Sequence, residues 1–385
     1  MNAVRALRGA LTSKLLKKPV PIAVTLALTY RCNLRCRYCQ IWKDAGEELS
    51  TRQVLTAIEE LHEAGMCRLG LTGGEPLLRR DIGVIVERAR RLGLFTTVFT
   101  NGALASEHRG TLREVDAVLL SLDGPRPIHD RARGAGAFDA AMEALRMLVN
   151  DGVPVWTNTV LTRDNIDHVD FVIDVARRHG ALAAFQPVFE HTYSVKGERV
   201  EALRAEDRAH AAAVDRLLLH KRAGAPLLNS ASFFEYIRTP RWERNPRACL
   251  AGRCYAAVAP DGRVAPCPIL LQARGLPDGR AIGFAEAFRR SARHARCSGC
   301  FCIATVESDL LFSLDPRAVL NTLRLMARGK SPSARPGDAT GLMTRLGRRP
   351  PPRGLARGAA VDQCMASVAF HEGGARDHGE AGSAR

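Results

Sequence analysis

The run Arg31-Cys32-Asn33-Leu34-Arg35-Cys36-Arg37-Tyr38-Cys39 places three thiols at Cys-x3-Cys-x2-Cys spacing. A cubane iron-sulfur cluster takes four ligands, so three thiolates would hold it and leave one iron open to another molecule. Structural zinc wants a closed tetrahedron, and a disulfide frame wants paired cysteines in an oxidising compartment. Three close cysteines suit neither. A second concentration of thiols, Cys249, Cys254, Cys267, Cys297, Cys300 and Cys302, is too dense for ordinary core packing and reads as metal-binding. Either an iron-sulfur cluster or zinc satisfies it, because Cys297-Ser298-Gly299-Cys300 plus two more cysteines also makes a tetrahedral set. Cys67, inside an apolar strand, reads as a core residue.

The first three cysteines follow an apolar, β-branched run at 22–28 that reads as a buried strand. Side chains converge at the carboxyl ends of parallel strands, so a loop there is well placed for chemistry. Strand and helix then alternate. Ser50 and Thr51 cap a helix over 51–64 with Val54, Leu55, Ile58 and Leu61 on one face, and a strand follows at 68–72. Helix-strand pairs continue at 80–92 and 94–100, 105–114 and 115–122, 137–150 and 153–160, and 165–179 and 181–188. The fold class is α/β: a partial (β/α)6 TIM-like barrel with a small cysteine-rich β-hairpin/helix C-terminal extension. Other strand ends carry Gly73-Gly74-Glu75-Pro76, Thr100-Asn101-Gly102 and Ser121-Leu122-Asp123-Gly124, each also readable as a turn. The paired glycines would let backbone approach a ligand, and Glu75 could accept hydrogen bonds from an ammonium.

Taken together, the cysteine run with Tyr38 before its third thiol, the Gly73-Gly74-Glu75-Pro76 tetrapeptide and the strand-end set resemble the radical S-adenosylmethionine superfamily over about residues 20–190. The resemblance implies a [4Fe-4S] cluster on Cys32, Cys36 and Cys39 whose open iron binds S-adenosylmethionine and cleaves it reductively to a 5'-deoxyadenosyl radical. It implies that Gly73, Gly74, Glu75 and Pro76 hold the methionine amino group. Ser121 and Asp123 would face its carboxylate or ribose, with Asn101 and Tyr38 lining the same pocket. Arg133 resembles an arginine aimed at the cofactor carboxylate, a solvated surface residue being the alternative. Asn158, Val160 and Leu161 are adenine-side candidates. Cys249 through Gly262 to Cys267, with Cys297 and Cys300, resembles the opening of the SPASM and Twitch extensions that carry auxiliary clusters. The cysteine series is short for two such clusters, so one is expected on Cys249, Cys267, Cys297 and Cys300, with Cys254 and Cys302 spare. An electron donor such as flavodoxin or ferredoxin is implied too.

The boundaries follow: a basic amphipathic segment 1–20, a core barrel 21–190, a helical connection 191–245, the auxiliary region 246–328 and a disordered, Gly/Pro/Arg-rich tail 329–385. Pro260-Asp261-Gly262 marks the hairpin turn. In the connection, Phe233, Phe234, Tyr236 and Trp242 read as core packing or a substrate wall, and Gln186, Glu190 and His191 lie near the barrel mouth. The chain has 385 residues, eleven cysteines and a net charge of +16, consistent with reduced metal ligands in a cytoplasmic enzyme. Residues 1–20 hold five basic side chains and no acid, and 329–385 hold nine basic against five acidic. Val4, Leu7, Leu11 and Leu15 fall at helical spacing, so this helix either touches a membrane surface or caps the barrel. No transmembrane stretch, signal peptide or nucleic-acid face is expected. With so little chain before the first strand to recognise a peptide, a small or lipid-like metabolite is the expected substrate. A ribosomal-peptide or protein maturase is the second reading, and a non-catalytic iron-sulfur or zinc regulator or electron carrier the third.

Overall fold

Ala23–Thr29 alternates half-buried and buried residues before ending in a fully buried stretch, as a strand covered on both faces must. In this computed structural model the described residues are 3–189, 198–239, 249–294 and 299–328. Helix α1 (Ala3–Leu15) precedes strand β1 (Ala23–Thr29). The repeating units are α2 (Thr51–Glu63) and β2 (Arg68–Gly73), α3 (Ile82–Arg91) and β3 (Phe95–Thr100), and α4 (Arg109–Leu112) and β4 (Ala117–Ser121). They continue with α5 (Arg126–Arg133), α6 (Ala137–Asn150) and β5 (Val155–Leu161), then α7 (Val169–Arg178) and β6 (Leu182–Pro187). Helices α8 (Glu198–Leu203), α9 (Asp207–Arg222) and α10 (Ala231–Ile237) lead to the short strands β7 (Tyr255–Val258) and β8 (Val264–Ala265). Finally come α11 (Gly279–Ile282), α12 (Phe284–Ser291), α13 (Ile303–Phe312) and α14 (Pro316–Arg328).

The sheet runs β6-β5-β4-β3-β2-β1-β7-β8, with β1 to β6 parallel in chain order. That is the partial barrel expected from the alternation. The hairpin is not a sheet of its own, however. Strand β7 pairs in parallel with β1, Ala23 opposite Tyr255 and Leu26 opposite Val258, and only β8 runs antiparallel. An unpaired β1 edge would leave a row of backbone donors and acceptors unsatisfied; β7 covers it. A small apolar group of Ala27, Tyr30, Ile41, Ala257, Ala259, Ala265, Leu271 and Leu276, with Cys39 against it, then joins the thiol loop to the hairpin.

Local chemistry explains the elements. Ser50 starts α2 with a full capping box, accepting from the Gln53 N–H while Gln53 accepts from the Ser50 N–H. Val54, Ala57, Ile58 and Leu61 bury its inner face. The short helix α5 has only Ile128 as a large apolar residue, so hydrophobic periodicity does not reveal it; Pro127 near its start is the legible signal. Cys67 is 2% exposed, a core residue as expected. Glu190, His191, Trp242, Cys297, Cys364 and the tail from 329 lie outside the described residues.

Candidate iron-sulfur and cofactor site

The thiol loop leaves β1 at its carboxyl end and is held by bonds to other elements and by one within itself. The Arg37 N–H bonds the Ala132 carbonyl of α5 at 2.9 Å, Asn33 Oδ1 accepts from Asn101 Nδ2 at 2.8 Å, and the Leu34 N–H points at Cys32 Sγ at 3.4 Å. Cys32, Cys36 and Cys39 are free and half-buried. Burial pushes all three thiols up, Cys39 to about 11, and the charges of Cys36 and Cys32 add to the effect there. Such thiols ionise when a metal takes them. Three thiols in one loop, coupled through their charges, fit a cluster that keeps one iron open.

Gly73 has φ +139°, and a Cβ there would stand 2.0 Å from the Thr29 carbonyl oxygen; one on Gly74 would stand 2.2 Å from that of Arg31. The Gly74 and Glu75 N–H groups bond those same carbonyls at 2.7 and 2.9 Å. What the glycines approach most closely is therefore the start of the thiol loop. They hold it against the end of β2. Pro76 opens the 3-10 turn Pro76–Leu78. Glu75, 1% exposed, accepts at Oε1 from Thr100 Oγ1 (3.0 Å) and the Leu77 N–H (3.2 Å), and at Oε2 from the Asn101 N–H (2.9 Å). Burial raises its pKa to about 7, although these three donors and Arg133 all pull it down.

Asp123 is the most crowded acid of the site. Arg133 Nε and Tyr38 OH each donate to Oδ2 at 2.7 Å, and the Val160 N–H donates to Oδ1 at 3.1 Å. Burial opposes its charge, but the Arg133 guanidinium and these hydrogen bonds outweigh burial and hold the carboxyl below its ordinary value. Arg133 is buried, lies 5.4 Å over the Tyr38 ring and reaches to 4.0 Å from Cys36 Sγ. It is not a solvated surface residue. Ser121 ends β4 opposite Asn158, half-buried. Two supporting residues went unread in the sequence. His129 Nδ1 accepts from the Asp123 N–H at 3.0 Å, and Asn165 Nδ2 donates to the Asp123 and Val160 carbonyls at 3.0 and 2.8 Å. Neither sits in a motif.

In the second thiol group, burial lifts Cys267 to about 12 and the charges of Cys249 and Cys302 add to it; Cys300 is raised by burial and by Cys302 and Cys267. Cys302, read as spare, is thus close enough to Cys267 and Cys300 for their charges to act on one another, the expected ligand Cys297 lies outside the described residues, and buried Cys254 lies beside Ser13 of α1. Cys249 Sγ is 3.2 Å from Tyr255 OH, which is 2.9 Å from Asp309 Oδ1. Among the described residues, no three His, Cys, Asp or Glu side chains gather around a single ion. Phe233 and Phe234 are fully buried, and Tyr236 donates to the Cys300 carbonyl at 3.0 Å, so this aromatic group is core. Gln186 Oε1 accepts from the Ile303 N–H at 3.1 Å.

A parallel partial barrel with thiols, carboxylate and guanidinium gathered at its strand ends is an arrangement able to hold an iron-sulfur cluster. The Radical SAM superfamily profile matches residues 26–176. The chain is 32% identical over 280 residues to a PqqA peptide cyclase of Streptomyces rochei, covering 68% of this chain and 73% of the relative. It is 30% identical over 260 residues to a PqqA peptide cyclase of Ruegeria pomeroyi, covering 65% and 68% respectively. The fold matches Streptococcus suis SuiB bound to S-adenosylmethionine (TM-score 0.58, 15% identity, 81% of this chain and 79% of that one). It also matches anSMEcpe with bound AdoMet and a peptide (TM-score 0.58, 17% identity, 79% and 99%). The chain belongs to the radical SAM superfamily. It is an enzyme, and its cofactors are a [4Fe-4S] cluster and S-adenosylmethionine.

Proposed function

We propose that this enzyme modifies a peptide. The observation that carries the reading is the 280-residue similarity to a PqqA peptide cyclase, which extends well beyond the barrel core. It favours the peptide over the small or lipid-like metabolite expected from the sequence. Bound together, cluster and S-adenosylmethionine supply a 5'-deoxyadenosyl radical that can take hydrogen from an unactivated carbon. The protein's part is to hold, orient and shield. Cys32, Cys36 and Cys39 ligate the cluster, Glu75 accepts the methionine ammonium, and Asn101 braces the loop between them. Asp123 keeps Tyr38 and Arg133 in place, which sets a positive charge beside Cys36. At the strand ends, Val188 and Leu203 form an apolar group with Tyr38 and Val160, and the Arg163 N–H ties Leu203 down at 2.8 Å. This wall keeps water from the radical. Cys249, Cys267 and Cys300 hold one auxiliary cluster, with Cys297 as the expected fourth ligand and neighbouring Cys302 as its alternative, and a reduced flavodoxin or ferredoxin is the electron source.

Two results follow. Incubation with dithionite, S-adenosylmethionine and a deuterated precursor peptide should place deuterium in 5'-deoxyadenosine. Label transfer from a small-molecule extract fraction, but from no peptide, would overturn the peptide reading. Secondly, cofactor affinity should rise with pH as Glu75 ionises near 7, then fall above about 8 as the ligand's amino group loses its proton. Glu75→Gln should abolish the acid limb and weaken binding roughly ten- to a hundredfold, the worth of a charged hydrogen bond. An unchanged acid limb in that variant would remove Glu75 from the site.

A further inference from the structure

We propose that α1 seats this enzyme on an anionic membrane surface through leucines that face away from the protein. The periodicity of Val4, Leu7, Leu11 and Leu15 marks an apolar stripe, whose ordinary fate is burial against the core. The side chains of Val4 and Leu7 lie outside the described residues, but for Leu11 and Leu15 the structure docks a different face. Ala6 and Ala10 pack on the core, Gly9 is so close that a Cβ would meet Ile22 at 3.0 Å and Val20 at 3.2 Å, and the carbonyl of buried Ser13 accepts from Arg253 at 2.6 Å. Arg5 bonds His62 on the same side. Small side chains thus face inward, and Leu11 and Leu15 stand 42% and 72% exposed, with Leu16 just beyond the helix at 63%. Arg8 shares the outward face with Leu11 and Leu15, and Lys17 and Lys18 follow, all exposed.

Leucines rimmed by cations, in a segment with no acid, match the chemistry of a bilayer interface. Apolar side chains enter the acyl boundary there while cations meet anionic headgroups. The position fits as well. Helix α1 lies against Val20, Ile22 and His62, where β1 begins and α2 ends, so it sits at the end of the barrel opposite the thiol loop. Docking there leaves the mouth open. No described helix is long and apolar enough to cross a membrane, so the contact is at the surface.

Sedimentation of the full chain with phosphatidylcholine vesicles, with and without phosphatidylglycerol, tests this. Binding should require phosphatidylglycerol and weaken with salt. Lys17→Gln and Lys18→Gln should each cost about fivefold. Leu15→Asp with Leu16→Asp should cost roughly tenfold or more, with unchanged circular dichroism and S-adenosylmethionine cleavage. Failure to bind the anionic vesicles, or undiminished binding by the leucine variant, overturns the proposal. So does a concentration-dependent dimer that the leucine variant abolishes, since a second copy would then be the occupant.

Discussion

Anaerobically reconstituted protein should carry about eight irons and eight sulfides, two cubanes' worth. Replacing Cys32, Cys36 and Cys39 together with Ala should remove about half of that iron and all 5'-deoxyadenosine formation. The two thiol groups are built by different parts of the chain. The first sits in the loop after β1; the second draws on residues beside β7, β8 and α13. Loss of one set therefore leaves the other's ligands in place. Retention of the full iron content by the triple variant would sink the assignment, and loss of every iron would mean that the second group holds no cluster by itself.

The largest expected effect on stability is at Arg133. Its partner Asp123 has a side chain with 0% exposure, and Arg133→Met would leave that carboxylate charged, buried and unpaired by a cation. Breaking such a pair from one side costs about 3–5 kcal/mol. The pH dependence has a definite sign. Because Asp123 titrates below its ordinary value in the folded protein, its contribution is present above the unfolded-state pKa and is lost as pH falls through the folded one. The gap between native and variant should therefore be widest near neutrality and narrow below about pH 4, where the unfolded carboxyl protonates. Urea unfolding at neutral and acid pH measures it. A neutral-pH difference under about 1 kcal/mol would show that the pair does not hold the site together.

Much of the site was legible because its residues cluster along the chain. The cysteine run, Gly73-Gly74-Glu75-Pro76, Asn101 and Asp123 each follow a predicted strand, and parallel order brings successive strand ends together automatically. Helix α5 was not legible, since its charged sequence buries little, yet it delivers both Arg133 and His129 to Asp123. Nor was the partner of the paired glycines: spacing shows that backbone must come close, not to what. The answer was the chain itself at Thr29 and Arg31.

The sequence by itself determined the barrel, which depends on local periodicity, and placed the three-cysteine run after its first strand; the superfamily's chemistry came with the resemblance those motifs carry. Only the tertiary structure decided that the hairpin continues the barrel sheet beside β1, that Cys254 turns to α1, and that α1 packs by its small residues. Each of these is a choice among faces or edges that the sequence leaves equally available. The choice is made by which surface closes on it: the open edge of β1 demanded a strand, and the close approach beside Ile22 and Val20 admitted glycine but no leucine.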